Sequence, residues 1–231
     1  MEISNRLTAI ANMVTKGNVV CDVGTDHGYL AIYLVEKGIS DKVIAMDVAK
    51  GPLGKAQSNI ALYGMEPAIE TRLSDGVDKL GDNEAGTVIM AGMGGILICG
   101  LIEKGIKKLT AVDELILSPH TDIRLVREFL IQHGFCIVDE EMLQEEGKYY
   151  VIIKARSGRS ESYDKCQLTY GKCLLHNKNI TLKKYLTEEL DKQTKLMDKL
   201  NCVDTESANI RRNELKIEIQ NVKEGLGYYE L

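Results

Sequence analysis

The strongest constraint on the fold is an alternation of short apolar segments with helical segments through the first two-thirds of the chain. Seven segments have the length and composition of β-strands, at residues 19–23, 42–47, 69–73, 87–91, 114–118, 136–142 and 149–155. Helical spacing of apolar residues marks the segments between them, notably 28–37, 52–63, 95–108 and 121–133. This alternation favours a parallel sheet covered by helices on both faces. The sequence therefore predicts an α/β, Rossmann-like domain.

The last two strands have no helix between them. They are joined by the turn-like tetrapeptide Glu145-Glu146-Gly147-Lys148, which favours a β-hairpin. The sheet is therefore expected to have seven strands and to be mostly parallel, with one antiparallel strand.

The character of the chain changes near residues 156–160, after which no segment has the pattern of a strand. Apolar residues then fall three or four apart, which predicts two helices, roughly 160–199 and 205–224. Their heptad pattern is imperfect, so a helical hairpin of coiled-coil character is expected. We expect a catalytic domain at 1–158 and a small helical domain at 159–231.

Composition excludes several classes of protein. A hydrophobic fraction of 44% and a charged fraction of 27% are those of an ordinary globular protein, and no segment approaches the roughly 20 apolar residues of a membrane helix. The six cysteines are scattered without a C-x-x-C pair, and the N-terminus lacks the layout of a signal peptide. We expect a cytoplasmic monomer with free thiols and no metal site.

Charge is distributed unevenly around the net value of −5. Residues 1–158 hold 16 basic and 22 acidic side chains, a balance of −6, whereas residues 159–231 hold 13 and 12, a balance of +1. Within the second part, residues 165–199 carry eight lysines against four acids. This segment is either a solvated helical face or a surface that contacts phosphates.

The turn after the first strand has the pattern D-x-G-x-x-x-G, from Asp22 through Gly24 to Gly28. Glycines at such a turn let a ligand approach the backbone, and the following helix begins with free N–H groups. A dinucleotide fingerprint would be G-x-G-x-x-G, shaped around a pyrophosphate. The carboxylate of Asp22 would repel pyrophosphate, but it suits the ammonium and sulfonium charges of S-adenosylmethionine.

Two more acids follow successive strands. Asp47 ends the second strand, at a spacing typical of a carboxylate that binds ribose hydroxyls. Asp75, with Gly76, follows the third strand and could accept a hydrogen bond from an adenine amino group. Any one of these acids could be an exposed residue without a binding role, but three acids at the ligand-binding edge of one sheet together predict a cofactor site.

A glycine-rich segment, Met90-Ala91-Gly92-Met93-Gly94-Gly95, follows the fourth strand. The glycines either allow a tight turn or leave space for the methionine half of the cofactor and the incoming substrate. We favour the second interpretation, in which the segment leaves space for these ligands and Gly92 and Met93 contact the cofactor.

These motifs resemble the bacterial TrmK family of class I S-adenosylmethionine-dependent methyltransferases. The residues that carry the resemblance are Arg6-Leu7, the segment from Asp22 to Leu30, the segment from Ala91 to Gly95, and Gly147-Lys148-x-Tyr150. The resemblance covers most of residues 1–155 and implies methylation of N1 of adenine 22 in tRNA, with a C-terminal helical domain. One departure is Ser118-Pro119-His120, where the family is expected to have Gln-Pro-Asn.

On this interpretation, the side chains of the first turn act on the target base. Asp26 would accept a proton from the adenine amino group, while His27 and Tyr29 would stack on or pack against the base. The target base would have to leave its stack to reach them. Phosphates of the tRNA would be contacted by Arg6, Lys183 and Lys184. For each turn residue, a role in shaping the turn alone is the alternative.

Three other functions compete with this one. A small-molecule methyltransferase shares the cofactor site but would need an enclosing lid, and only an appended helical domain is visible. A non-catalytic RNA-binding protein of the same fold is disfavoured by the intact acids at all three cofactor positions. A nicotinamide dehydrogenase is disfavoured by Asp22 and by the missing glycine.

Overall fold

The chain, as a computed structural model, is described from residue 1 to residue 230 and divides into two compact units. The first unit is Met1–Glu161, and the second begins at Ser162.

The first unit is built on one seven-stranded sheet with the order β3-β2-β1-β4-β5-β7-β6. Its strands are β1 (Val20–Val23), β2 (Val43–Asp47), β3 (Ile69–Leu73), β4 (Thr87–Met93), β5 (Glu114–Pro119), β6 (Phe135–Glu145) and β7 (Lys148–Ser157). The pairs among β1 to β5 are parallel, and β7 is antiparallel to both β5 and β6. The predicted fold class, including the single reversed strand, is confirmed.

Six helices of this unit pack on the sheet or on one another. They are α1 (Asn5–Met13), α2 (Tyr29–Glu36), α3 (Lys50–Leu62), α4 (Gly95–Lys104), α5 (Ile106–Leu109) and α6 (Ile123–Gln132). The core contains fully buried residues from strands and helices alike, such as Ile10, Ile32, Ile89 and Ile116. The burial of this common apolar surface fixes the helices against the sheet.

Local sequence signals set several element boundaries. The Ser4 hydroxyl accepts a hydrogen bond from the Leu7 amide at 3.2 Å and caps α1. Between β6 and β7, Glu146 and Gly147 both have positive φ angles, of 49° and 77°. Two such residues form the tight turn whose twist matches the paired strands, so the predicted hairpin is present.

The single helix expected over residues 95–108 is wrong, because the chain forms two helices separated at Gly105. The backbone of Gly105 is not helical there, with φ −95° and ψ 11°. A Cβ at this position would lie 2.4 Å from Cγ2 of Val77. The close packing of Val77 explains a glycine at the break.

The second unit is helical, with α7 (Lys165–Tyr170), α8 (Lys172–His176), α9 (Ile180–Asn201) and α10 (Glu206–Gly227). The continuous helix expected over 160–199 is therefore wrong. Its interruptions lie at Gly171 and Lys178, whose φ angles of 95° and 51° are left-handed and incompatible with a helix. The two 22-residue helices, α9 and α10, pack against each other as the expected hairpin.

The apolar residues of this hairpin form a small core that includes Leu182, Leu186, Leu215 and Val222. Within residues 1–230, no helix combines the length and the apolar character needed to cross a membrane.

A buried carboxylate ties α1 to the sheet. Glu114, at the start of β5, is fully buried and accepts hydrogen bonds from the Thr15 amide (2.7 Å), the Thr15 hydroxyl (2.6 Å) and the Thr87 hydroxyl (2.9 Å). Lys154 Nζ forms an ion pair with it at 2.9 Å. Burial alone would raise the pKa of Glu114, but these donors outweigh it and hold the pKa below the usual glutamate value.

We expect Glu114→Gln to lower the free energy of unfolding by about 3 kcal/mol at neutral pH, because it removes one partner of a buried ion pair. A carboxyl whose pKa is depressed by folding stabilises the protein above its unfolded pKa of about 4.3 and loses that effect as the pH falls. The difference between variant and wild type should therefore shrink below about pH 4. Urea denaturation followed by circular dichroism checks both points. The exposed Glu66→Gln is the matched control and should change stability by less than about 0.5 kcal/mol at either pH.

Candidate active site

The turn after β1 is held in place by backbone hydrogen bonds. The amides of Gly24 and Thr25 both donate to the carbonyl of Met46 on β2, at 2.8 and 2.9 Å. On the other side of the turn, Nδ2 of Asn59 donates to the carbonyl of His27 at 2.9 Å. The turn is therefore a fixed part of the sheet edge, positioned before any ligand binds.

The two glycines of the turn are required by its geometry. Gly24 and Gly28 have φ angles of 77° and 70°, and Gly28 is the N-terminal cap of α2. A Cβ on Gly24 would lie 2.6 Å from Cε of Met93, and a Cβ on Gly28 would lie 3.3 Å from Cβ of Ala56. The approach of Met93 to Gly24 places the end of β4 directly beside the turn, which brings two predicted cofactor segments together.

The carboxyl group of Asp22 lies beneath this turn and is only 5% exposed. Burial raises its pKa to about 6, and the charge of Asp47 adds to the increase. Thr25 lies close enough to favour the charged form of Asp22, but its buried hydroxyl makes no hydrogen bond of normal geometry within residues 1–230. A buried acid and an unsatisfied hydroxyl side by side favour a polar, cationic ligand.

The other two acids differ in their surroundings. Asp47, at the end of β2, is half-buried and accepts a hydrogen bond from the Ala49 amide at 2.7 Å. Asp75 is exposed and forms an ion pair with Lys104 at 2.7 Å, and Lys104 pairs equally closely with Asp78. Gly76 next to it has a left-handed φ of 56°. Asp47 is thus available at the sheet edge, whereas Asp75 would have to exchange a surface partner for a ligand.

The predicted catalytic residues occupy the outer part of the turn. Asp26 is exposed, with its Oδ1 3.3 Å from Nε2 of His27. His27 has a left-handed φ of 59°, uncommon for a residue other than glycine. The rings of His27 and Tyr29 are stacked, with centroids 5.5 Å apart and planes 7° from parallel. The turn therefore presents two parallel rings and a carboxylate toward solvent.

A second group of side chains lies where β4, β5 and β7 meet the same edge. The guanidinium of Arg6 lies over the ring of Tyr150, 5.5 Å from its centroid, and the ring of His120 meets Tyr150 edge-on at 5.8 Å. The strand β4 is irregular here, because Gly92, with φ 81°, lies between the residue pairs Ala91–Ser118 and Met93–Pro119. No local sequence pattern joins Tyr150 to Arg6, since the two residues are far apart in the chain.

The remaining predicted RNA contacts, Lys183 and Lys184, lie on α9 in the second unit. Lys183 Nζ lies 5.7 Å from the centroid of the Tyr229 ring, and Lys184 forms a long ion pair with Glu188 at 3.9 Å. Farther along the helix, Lys192 and Lys195 pair with acids one turn away. Part of the lysine excess is therefore neutralised within α9 itself.

Comparison with known proteins identifies the family of the chain. A family described as a methyltransferase domain matches residues 3–153. The tRNA (adenine(22)-N(1))-methyltransferase of Bacillus subtilis is 32% identical over 97% of this chain and 97% of its own length. The chain belongs to the TrmK family of tRNA (adenine(22)-N(1))-methyltransferases.

Solved structures of this family have the same fold over nearly the whole chain. The B. subtilis m1A22 tRNA methyltransferase TrmK has a TM-score of 0.83 at 30% identity, covering 97% of this chain and 99% of its own. The Streptococcus pneumoniae protein Sp1610, solved in complex with S-adenosyl-L-methionine, has a TM-score of 0.86 at 32% identity, covering 97% of this chain and 100% of its own. The likeness includes the C-terminal helices as well as the sheet domain.

We expect Asp22→Asn to abolish measurable cofactor binding and yet to stabilise the ligand-free protein. Because folding raises the pKa of Asp22, the folded protein holds a proton between about pH 3.9 and about pH 6 that the unfolded chain has lost. The wild-type protein therefore loses stability as the pH rises through this window, and the asparagine variant does not. At pH 8 the variant should be more stable by about 1–2 kcal/mol. Urea denaturation and calorimetric titration with S-adenosylhomocysteine measure the two effects, and a destabilised variant would contradict the assignment.

Proposed function

We propose that this protein, acting as a monomer, transfers a methyl group from S-adenosylmethionine to N1 of adenine 22 in tRNA. The observation that carries the proposal is the turn from Asp22 to Gly28, preformed at the sheet edge of a chain that aligns end to end with a tRNA (adenine(22)-N(1))-methyltransferase. The alternative is another RNA or a small molecule as acceptor, and similarity to a tRNA methyltransferase over 97% of the chain favours tRNA instead.

The first unit fits S-adenosylmethionine on its own geometry. The buried carboxyl of Asp22 suits an ammonium group, and the Thr25 hydroxyl beside it lacks a hydrogen bond of normal geometry within residues 1–230 and can take a polar partner. Asp47 lies where ribose hydroxyls are bound in sheets of this type. The residues we propose to hold the cofactor are Asp22, Gly24, Gly28, Asp47, Asp75, Gly76, Gly92 and Met93.

The cofactor supplies a methyl group bound to a positively charged sulfur. The lone pair of adenine N1 forms a bond to this methyl carbon as the bond between methyl and sulfur breaks. N1 is unprotonated at neutral pH, so the protein needs no strong base before the displacement. Its main contribution is to align the base and exclude water. We propose that the stacked rings of His27 and Tyr29 hold the base, and that the exposed carboxylate of Asp26 accepts a proton from the amino group of the methylated base and passes it to solvent.

The helical domain, 159–231, is proposed to hold the body of the tRNA. Lys183 and Lys184, near the start of α9, are its proposed phosphate contacts, and Arg6 is a further contact in the catalytic domain, 1–158. Affinity from such contacts is electrostatic and independent of sequence.

The direct test is transfer of labelled methyl from S-adenosylmethionine to unmodified tRNA, followed by nucleoside analysis. We expect labelled 1-methyladenosine, and we expect the label to disappear when adenine 22 is changed to guanine. Absence of label from every tRNA, despite calorimetric binding of the cofactor, would remove tRNA as the acceptor.

We expect the double charge reversal Lys183→Glu/Lys184→Glu to weaken tRNA binding by at least about tenfold, because each reversal replaces a phosphate contact by repulsion. Affinity for S-adenosylhomocysteine should stay within about twofold, since binding energies at independent sites do not couple. Lys216→Glu/Lys223→Glu makes the same change in net charge on exposed positions of α10 and is the matched control. Equal weakening by both pairs would point to a general charge effect instead of a contact at α9.

A further inference from the structure

Arg6 lies in a position that its own chain does not explain. Atom Nη1 of its guanidinium is buried and has no hydrogen-bond partner, and no carboxylate within residues 1–230 forms an ion pair with it. The terminal nitrogens lie 3.9 and 4.0 Å from the point where a Cβ of Gly92 would be. Since a buried N–H donor without a partner is costly, the arrangement indicates a hydrogen-bond acceptor at Nη1, and the positive charge of Arg6 favours an anionic one.

The guanidinium is held in place by its neighbours. The Tyr150 ring lies beneath it, and stacking of this kind fixes the plane of the donors without using any of them. His120 packs edge-on against the same ring, and its backbone amide donates to the carbonyl of Met93 at 3.0 Å. The donors of Arg6 are therefore preorganised at the end of β4.

Positive charge is concentrated around this ring. Burial lowers the pKa of His120, and the charges of Arg6 and Lys148 lower it further. Glu145, at the end of β6, is engaged outside this group, because its carboxylate accepts a hydrogen bond from the Asn5 amide at 2.6 Å. We call Arg6, His120, Lys148 and Tyr150 the rim cluster.

The rim cluster and the cofactor acids lie on opposite sides of β4. In the sheet order, β1, β2 and β3 carry or precede Asp22, Asp47 and Asp75. On the other side of β4, His120 follows β5 and β7 carries Lys148 and Tyr150, while Arg6 comes from α1. Neighbouring strands are about 4.8 Å apart, so β5 and β7 lie roughly 10 and 14 Å from β1 along the edge. The acidic side suits a cationic methyl donor, and the basic side suits a polyanion.

We propose that the rim cluster binds the backbone phosphate of the acceptor nucleotide, with Arg6 donating to the phosphate while stacked on Tyr150. This inference rests on the proposed function, because it assigns the subsite for the RNA strand that carries the target adenine. Lys148 adds charge to the same phosphate, and His120 holds the Tyr150 ring in position. The phosphate then fixes the nucleotide next to the methyl donor held by the acids.

The first test compares Arg6→Gln with Lys16→Gln, a control that removes one charge from an exposed residue outside the rim cluster. Arg6→Gln should weaken binding of unmodified tRNA by about tenfold and reduce the slope of log Kd against log salt concentration by about 1. Binding of S-adenosylhomocysteine should stay within about twofold of wild type, and the control should change neither. Tyr150→Phe keeps the ring and should bind like wild type, whereas Tyr150→Ala should behave like Arg6→Gln.

A second test uses the wild-type protein and is independent of how the variants fold. Neutral methylphosphonate linkages are placed one at a time on either side of adenosine 22 in the tRNA. One of the two should weaken wild-type binding about tenfold and have no further effect on Arg6→Gln, because both changes remove the same contact.

Two results would overturn the inference. Weaker binding of S-adenosylhomocysteine by Arg6→Gln, with tRNA binding unchanged, would place Arg6 on the carboxylate of the cofactor. Additive effects of the methylphosphonate and Arg6→Gln would show that Arg6 contacts neither of these phosphates. A wild-type protein that binds tRNA but forms no 1-methyladenosine would instead count against the proposed function, because these binding assays do not depend on methyl transfer.

Discussion

The site depends on the position of β1 at the centre of the sheet. This strand is buried at all four residues and pairs in parallel with both β2 and β4, so its end lies in the middle of the ligand-binding edge. The two amides that follow it both donate to the carbonyl of Met46, which fixes the turn against β2. The carboxyl of Asp22 is buried as a consequence. Its raised pKa shows that burial disfavours the charged form of this acid.

The edge of the sheet is divided electrostatically by β4. The three acids lie on the side of β1, β2 and β3, and the rim cluster lies on the side of β5 and β7. Gly92 and Met93, at the irregular end of β4, lie between the two sides, in contact range of Arg6 and of Gly24 respectively. A methyl-transfer site needs a cationic donor and an anionic RNA strand to meet, and this division provides separate surroundings for each.

Much of the fold could be predicted because its signals are local. Strand and helix periodicity identified every strand to within about three residues, and the Glu145–Lys148 segment predicted the reversed strand. The errors lie where tertiary packing or a left-handed residue overrides periodicity. Gly105 ends α4 because Val77 packs against it, and Lys178 ends α8 with a backbone conformation that its residue type does not announce.

The sequence by itself determined the Rossmann-like fold and the three acids of the cofactor edge, because strand periodicity and the D-x-G-x-x-x-G spacing are properties of short segments. Only the tertiary structure decided that Asp75 is engaged by Lys104 while Asp22 is buried, since burial and ion pairing depend on residues distant in the chain. The tertiary structure also decided that Arg6 lies over Tyr150 beside His120. This contact joins α1, the residue after β5 and β7, and it forms only because β7 pairs with β5. Side chains more than a hundred residues apart meet there because strand pairing, and not sequence spacing, sets their distance.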